Sequence, residues 1–253
     1  MVIAGVLLAS LLPAAPRAEA APQAVAGRRV VIAPDTEAVP QAGTIIVYFL
    51  DHQFLPAAEV DILQREISAI FADAGLQVRW VPGDSPQRVL DVNELRLIVL
   101  ASDGTRWFHG PSNVIGIAPH DDAGIGRNCW VFYRQAIWFR QQAVFRCREA
   151  IQARTEAEVR GVPVDPFVES LAPADCGDYL PSLTAMIVAR AAAHEMVHIL
   201  LNKLDHAAGG LMRDSFDIGD WFIADAARFR LAPAEIEQLR DLLGAAQDER
   251  RPQ

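Results

Sequence analysis

Two histidines four residues apart, with a glutamate beside the first, sit inside an apolar run: His194-Glu195-Met196-Val197-His198 within residues 182–201. On a helix, residues four apart share a face, so both imidazoles can reach one metal ion. The residues before them are small and apolar (Ala185, Ile187, Val188, Ala189 and Ala191 to Ala193). A helix that is apolar all round has to be covered, so this one is expected beneath a sheet. Zinc lowers the pKa of a water it binds, and the carboxylate of Glu195 is placed to accept the proton. The same group can later pass that proton to a leaving amine.

Downstream residues extend the pattern. Asn202 can adopt the left-handed conformation that ends a helix. His206 then lies on the returning chain, and Gly209-Gly210-Leu211-Met212 reads as a flexible turn. Four residues span about 12 Å when extended, enough for His206 to bend back to a metal below the helix. Asp205 is a rival third ligand, and Asp214 and Asp217 are more remote ones. Neutral imidazole is the usual partner in such a setting, so His206 is the expected ligand and Zn2+ the expected metal. Lys203 and Asp205 are expected to point to solvent.

His194-Glu195-x-x-His198, a bend, His206 and then Met212 resemble the metzincin clan of zinc metallopeptidases. His206-Ala207-Ala208-Gly209-Gly210-Leu211-Met212-Arg213 is also similar to uncharacterised bacterial metzincin-like proteins. The clan places Gly three residues after the second His and the third His six after; here Asn202 stands four on and His206 eight on. The resemblance extends upstream over a strand, a helix, Ala74-Gly75-Leu76, two strands and Val131-Phe132-Tyr133, covering residues 44–240. It implies a catalytic Glu195, a structural methionine turn at Met212 and a peptide or protein substrate. It also implies that Val114, Ile115, Gly116, Ile117 and Ala118 form an edge strand that pairs with extended peptide. The alternatives are an ordinary surface strand there and simple packing for Met212. Zincins that use a glutamate ligand need a Glu on a following helix, and the next one, Glu235, is far along the chain.

Local signals fill in the rest. Val2 to Leu12 is apolar and Ala18-Glu19-Ala20 follows, which reads as a signal peptide over residues 1–20 with cleavage near Ala20, and hence as a secreted or periplasmic protein. A retained anchor is the alternative. Residues 21–42 read as a linker or leader, 43–245 as the catalytic domain with an insertion at 135–175, and 246–253 as a tail. Strands are expected over 44–50, 77–81, 95–101, 114–118 and 129–133, and helices from Pro56 to Gly75, over 182–201 and over 233–243; residues 137–153 can be helical. The fold class is α+β: a twisted mixed sheet of four or five strands, a backing helix and the long active-site helix.

A net charge of −9 and a pI near 5.1 exclude nucleic acid as the main partner, because phosphate binding needs concentrated Lys and Arg. No stable membrane span is expected after signal cleavage, since no later stretch is read as long and apolar enough. Among Cys129, Cys147 and Cys176 one disulfide is expected, leaving one thiol. His52, His109 and His120 are read as surface or capping residues, Trp107, Trp130, Trp138 and Trp221 as core or rim, and Tyr133 or Tyr179 as candidate oxyanion donors. Two functional classes follow: a zinc-dependent peptidase, and a non-catalytic exported zinc- or peptide-binding protein.

Overall fold

The computed structural model describes residues 43–51, 54–83, 88–102, 114–121, 124–164, 180–216, 220 and 226–248. Among them the chain forms a mixed α/β fold with a five-stranded sheet, a two-stranded hairpin and four α-helices.

Thr44–Leu50 is strand β1, a β-branched and aromatic run buried over most of its length. Pro56 precedes helix α1 (Ala57–Asp73), whose buried face is Leu63, Ile67, Ile70 and Phe71. The helix ends at Ala74, and Gly75 follows with φ 72°, a left-handed step glycine takes without strain. Gln77–Pro82 is β2, parallel to β1, and Glu94–Leu100 is β3, parallel to β1 on its other side. Gly116–Ile117 is β4, His120–Asp121 and Gly124–Ile125 pair as the β5–β6 hairpin, and Asn128–Phe132 is β7. The sheet order is β2-β1-β3-β7-β4; β7 runs parallel to β3, and β4 is an antiparallel edge. The expected edge strand over 114–118 is thus realised in the ladder only at Gly116 and Ile117.

Alternate residues on a strand share a face. Ile45, Val47, Leu95, Leu97, Val99, Cys129 and Val131 do so here, and all belong to one core cluster with Leu63, Ile67 and Phe71 of α1. The same cluster takes in Ile187, Val188, Ala192 and Met196 of helix α3 (Leu180–Leu201). Ser182–Leu201 is long and apolar enough to cross a membrane by composition, which corrects the expectation that no such stretch follows the N-terminus. It serves as the core helix, with 83% of its most apolar window buried.

Helix α2 (Tyr133–Arg160) occupies most of the stretch read as an insertion and is longer than the 137–153 expected. Its buried residues, from Gln135 to Ala150, lie in the first part, and it packs on α3. A short 3-10 turn at Ala226–Phe229 leads to helix α4 (Pro233–Asp248), five residues longer than the reading 233–243. Glu235 accepts the backbone N–H of Ala232 at 2.7 Å, so its carboxylate caps the start of α4.

Candidate metal centre and cleft

Helix α3 is continuous through the motif, so His194 and His198 project from one face. It stops at Asn202, the one non-glycine residue with positive φ (48°) among the described residues. The chain then turns back and brings His206 to the same place. Ligand atoms of His194, His198 and His206 lie within 4.8 Å of one another.

Backbone carbonyls orient two of the rings. His194 Nδ1 lies 2.8 Å from the Leu211 carbonyl, and His198 Nδ1 lies 2.7 Å from that of Lys203. A carbonyl oxygen only accepts, so each Nδ1 must carry its proton, and each Nε2 presents a lone pair when the ring is neutral. Burial above all lowers the His194 pKa to about 4, with the neighbouring imidazoles adding to it, and burial likewise lowers that of His198. The rings of His194 and His198 are therefore neutral at pH 7. The Nε2 of His198 then stands 3.0 Å from that of His194 and 3.3 Å from that of His206. Lone pairs converging so closely repel one another unless they share a cation, and three imidazole nitrogens form a donor set that suits zinc. The residues present fit the metal expected from the sequence.

The carbonyl that orients His194 comes from the glycine turn. Gly210 has φ 74°, and a Cβ there would meet the Arg230 carbonyl oxygen at 2.6 Å. Leu211 N–H donates to that same carbonyl at 2.9 Å, and Ala207 N–H donates to Met212 O at 2.7 Å. Met212 is fully buried in the core cluster.

Glu195 is held by the sheet edge. Burial pushes its pKa up to about 8, and a hydrogen bond from the Ala118 backbone partly opposes this. A Cβ on Gly116 would fall 2.9 Å from Glu195 Cγ, so glycine at this point of β4 makes the room in which the carboxylate sits.

Two cavities meet at this centre, and Gly116, His194, Glu195 and His206 line both. One, of about 380 Å³, extends past Val114, Ile115, Trp138, Phe139, Arg213 and Phe216. The other, of about 390 Å³, extends past Ile117, Ala118, Pro119, His120 and Leu204. All five residues expected at the edge strand therefore border the cleft. His120 and Arg213 are lining residues that sequence reasoning did not single out as such; a lone histidine on a short hairpin carries no signal of its own.

The rival ligands fall elsewhere. Asp205 is exposed and stands outside the histidine group, Asp214 is exposed on the rim of the first cavity, and Asp217 lies outside the described residues. Lys203 departs from the solvent-facing expectation: it is half-buried, with Nζ 3.1 Å from Gln238 Oε1 of α4. Tyr133 gives its hydroxyl to Glu59 at 2.8 Å. Cys129 is a free thiol buried under α3, its Sγ 3.7 Å from the Ala192 carbonyl, while Cys147 is disulfide-bonded. His52, His109, Trp107, Trp221, Tyr179 and Cys176 lie outside the described residues.

No protein-family model matches the sequence, and no curated protein matches it. Among solved structures the chain is similar to archaemetzincin from Methanopyrus kandleri, at 13% identity and a TM-score of 0.44, over 81% of this chain and 99% of that one.

Proposed function

We propose that the chain is an exported zinc metallopeptidase of metzincin-like type that hydrolyses peptide bonds in the cleft beneath β4. One observation carries the reading: three imidazole Nε2 atoms converge, with the Nδ1 atoms of His194 and His198 committed to carbonyls, at a cleft that the Glu195 side chain also lines. His194, His198 and His206 hold the metal. Bound there, zinc supplies Lewis acidity, polarising a carbonyl and acidifying water. Glu195 takes a proton from water and returns it to the leaving amine. Its raised pKa suits this role, because an opposite charge beside it draws the value back toward neutrality. β4 offers an extended peptide an edge to pair with, which gives affinity with little sequence choice. Met212 supports the turn whose Leu211 carbonyl orients His194. The disulfide at Cys147 supports export, since such bonds persist outside reducing compartments.

The test is a mixed peptide library incubated with the zinc-loaded chain and with its Glu195→Ala variant. The variant should still bind zinc and lose turnover by at least about 100-fold. Equal turnover by both proteins removes Glu195 from the mechanism, and zinc binding without turnover by either leaves a non-catalytic zinc protein.

A further inference from the structure

Asn202 does more than end a helix. Its left-handed backbone (φ 48°) turns the chain so that the next residue, Lys203, presents its carbonyl to His198 Nδ1 at 2.7 Å. Any residue that tolerates positive φ could do that, and glycine would do it with least strain. The side chain, however, is used as well. Asn202 Oδ1 accepts the backbone N–H of Ile125 at 3.0 Å, across 77 positions of sequence. Ile125 belongs to β6, which pairs with His120 and Asp121 of β5. The fit is close on both sides: a Cβ on Gly124 would come within 3.1 Å of Asn202 Oδ1, and Gly124 itself has φ 120°. The β5 residue His120 lines the second cavity together with His198 and His206.

We propose that Asn202 is a positioning residue that fastens the β5–β6 hairpin, one wall of the second cavity, to the loop that orients His198. One residue then serves two surfaces of the cleft. Its backbone sets a metal ligand, and its side-chain oxygen sets the wall against which a bound peptide would lie. A hairpin with two short strands has little stability of its own, so one side-chain anchor from outside it decides how firmly it stands. Arg127, just beyond β6, donates to the carbonyls of Val92 at 2.9 Å and Ile199 at 3.4 Å, which confines the effect of losing Asn202 to the hairpin. The consequence for substrate rests on the peptidase reading; the tether itself does not.

Because Asn202 has two separable jobs, two substitutions separate them. Asn202→Gly keeps the left-handed turn and removes the acceptor. Asn202→Asp keeps an acceptor oxygen and tolerates the same backbone. Hydrogen exchange at the Ile125 amide reads the tether in the full-length chain, and competition with a chromophoric chelator reads zinc affinity. In Asn202→Gly the Ile125 amide should exchange roughly five- to tenfold faster, as expected for loss of one hydrogen bond. Zinc affinity should stay within about threefold of the parent, since the carbonyl of Lys203 is still in place. Asn202→Asp should leave both quantities near those of the parent. With a cleaved peptide in hand, Asn202→Gly should raise KM and leave kcat nearly unchanged. An Ile125 amide as protected in Asn202→Gly as in the parent overturns the proposal. So does equal loss of protection in Asn202→Asp, which would assign the effect to the amide group rather than to its oxygen. Absence of cleavage by every form, parent included, counts against the peptidase reading while the exchange data still judge the tether.

Discussion

Helix α3 is apolar on every side and buried along nearly its whole length. Helix α2, which packs on it, buries one face as far as Ala150 and leaves Trp138, Phe145 and Val159 exposed. The two differ most in what a polar residue means. On α2 the charges face water: Arg146 and Glu149 form a pair at 3.3 Å with both side chains about half exposed. On α3 the charged and titratable groups are drawn largely out of water and given partners. Arg190 reaches Glu66 at 2.8 Å and lies over the Phe229 ring at 4.2 Å, His194 and His198 meet carbonyls, and Glu195 meets the Ala118 backbone just past β4. In a buried helix a charged side chain is costly unless something specific answers it, which is why α3 announces its site and α2 announces nothing.

The largest expected effect separates the two helices by stability. Arg190→Ala strands the Glu66 carboxylate against the core and should lower unfolding free energy by about 3–5 kcal/mol. Arg146→Ala should change it by no more than about 0.5 kcal/mol, as is usual for an exposed helical pair. Urea denaturation of both variants checks this. Similar losses would mean that burial does not distinguish the helices energetically.

The second prediction tests where the function-bearing face of α3 ends. His206 lies beyond the helix, yet it should behave as part of it: His206→Ala should weaken zinc binding by more than about 100-fold, because even outer-shell partners of ligands are worth about 10- to 100-fold. Asp205→Asn, one residue away but exposed, should leave the affinity nearly intact. The opposite ranking in a metal titration makes Asp205 the third ligand.

Glycines sharpen the contrast further. Gly116→Ala places a methyl group 2.9 Å from Glu195 Cγ, so the carboxylate must move. Turnover should fall by up to about 100-fold, the scale of an ångström-sized misplacement, with zinc affinity unchanged. At the C-terminal end of α2, Gly161 (φ 64°) has nothing within 4 Å of its absent side chain. Gly161→Ala should cost about 1–2 kcal/mol in backbone strain and leave turnover alone. Loss of zinc together with turnover in Gly116→Ala would show that β4 supports the histidines rather than the glutamate.

What could be read from the sequence follows the range of the forces involved. β1, α1 and the turn at Gly75 were legible because β-branched runs, a helical period and a cap glycine are local signals. So were the limits of α3, within two residues at its start, and the stop at Asn202. The convergence of His194, His198 and His206 was legible because ligand chemistry narrows the choice of residues. Other features depend on partners distant in sequence. Arg190 meets Glu66 across 124 positions, Asn202 meets Ile125 across 77, and Gly116 owes its identity to Glu195. No window of sequence contains both members of such a pair. Helix α2 was blurred for a different reason: its burial fades after Ala150, so the apolar period that would mark its second half is missing.

The smallest effect concerns the join between α2 and the rest of the core. Tyr133, the first residue of α2, donates its hydroxyl to Glu59 of α1 at 2.8 Å and packs edge-on against Phe54. Burial pushes its pKa up from the ordinary 10 to about 12, with the hydrogen bond to Glu59 and the charge of that carboxylate adding to the shift and Arg140 opposing it. The folded state thus keeps the phenolic proton over a range in which the unfolded chain releases it. A raised folded pKa means that the stabilisation is present in full below about pH 10 and is lost as pH rises through 10 to 12. The side chain remains partly in contact with water, so screening keeps the contribution small. Stability measured in urea across that window should fall more steeply for the parent than for Tyr133→Phe, whose ring still packs on Phe54 but has no proton to lose. Parallel curves for the two proteins would show that the hydroxyl does not bind α2 to α1, and that α2 is held by its apolar contact with α3 alone.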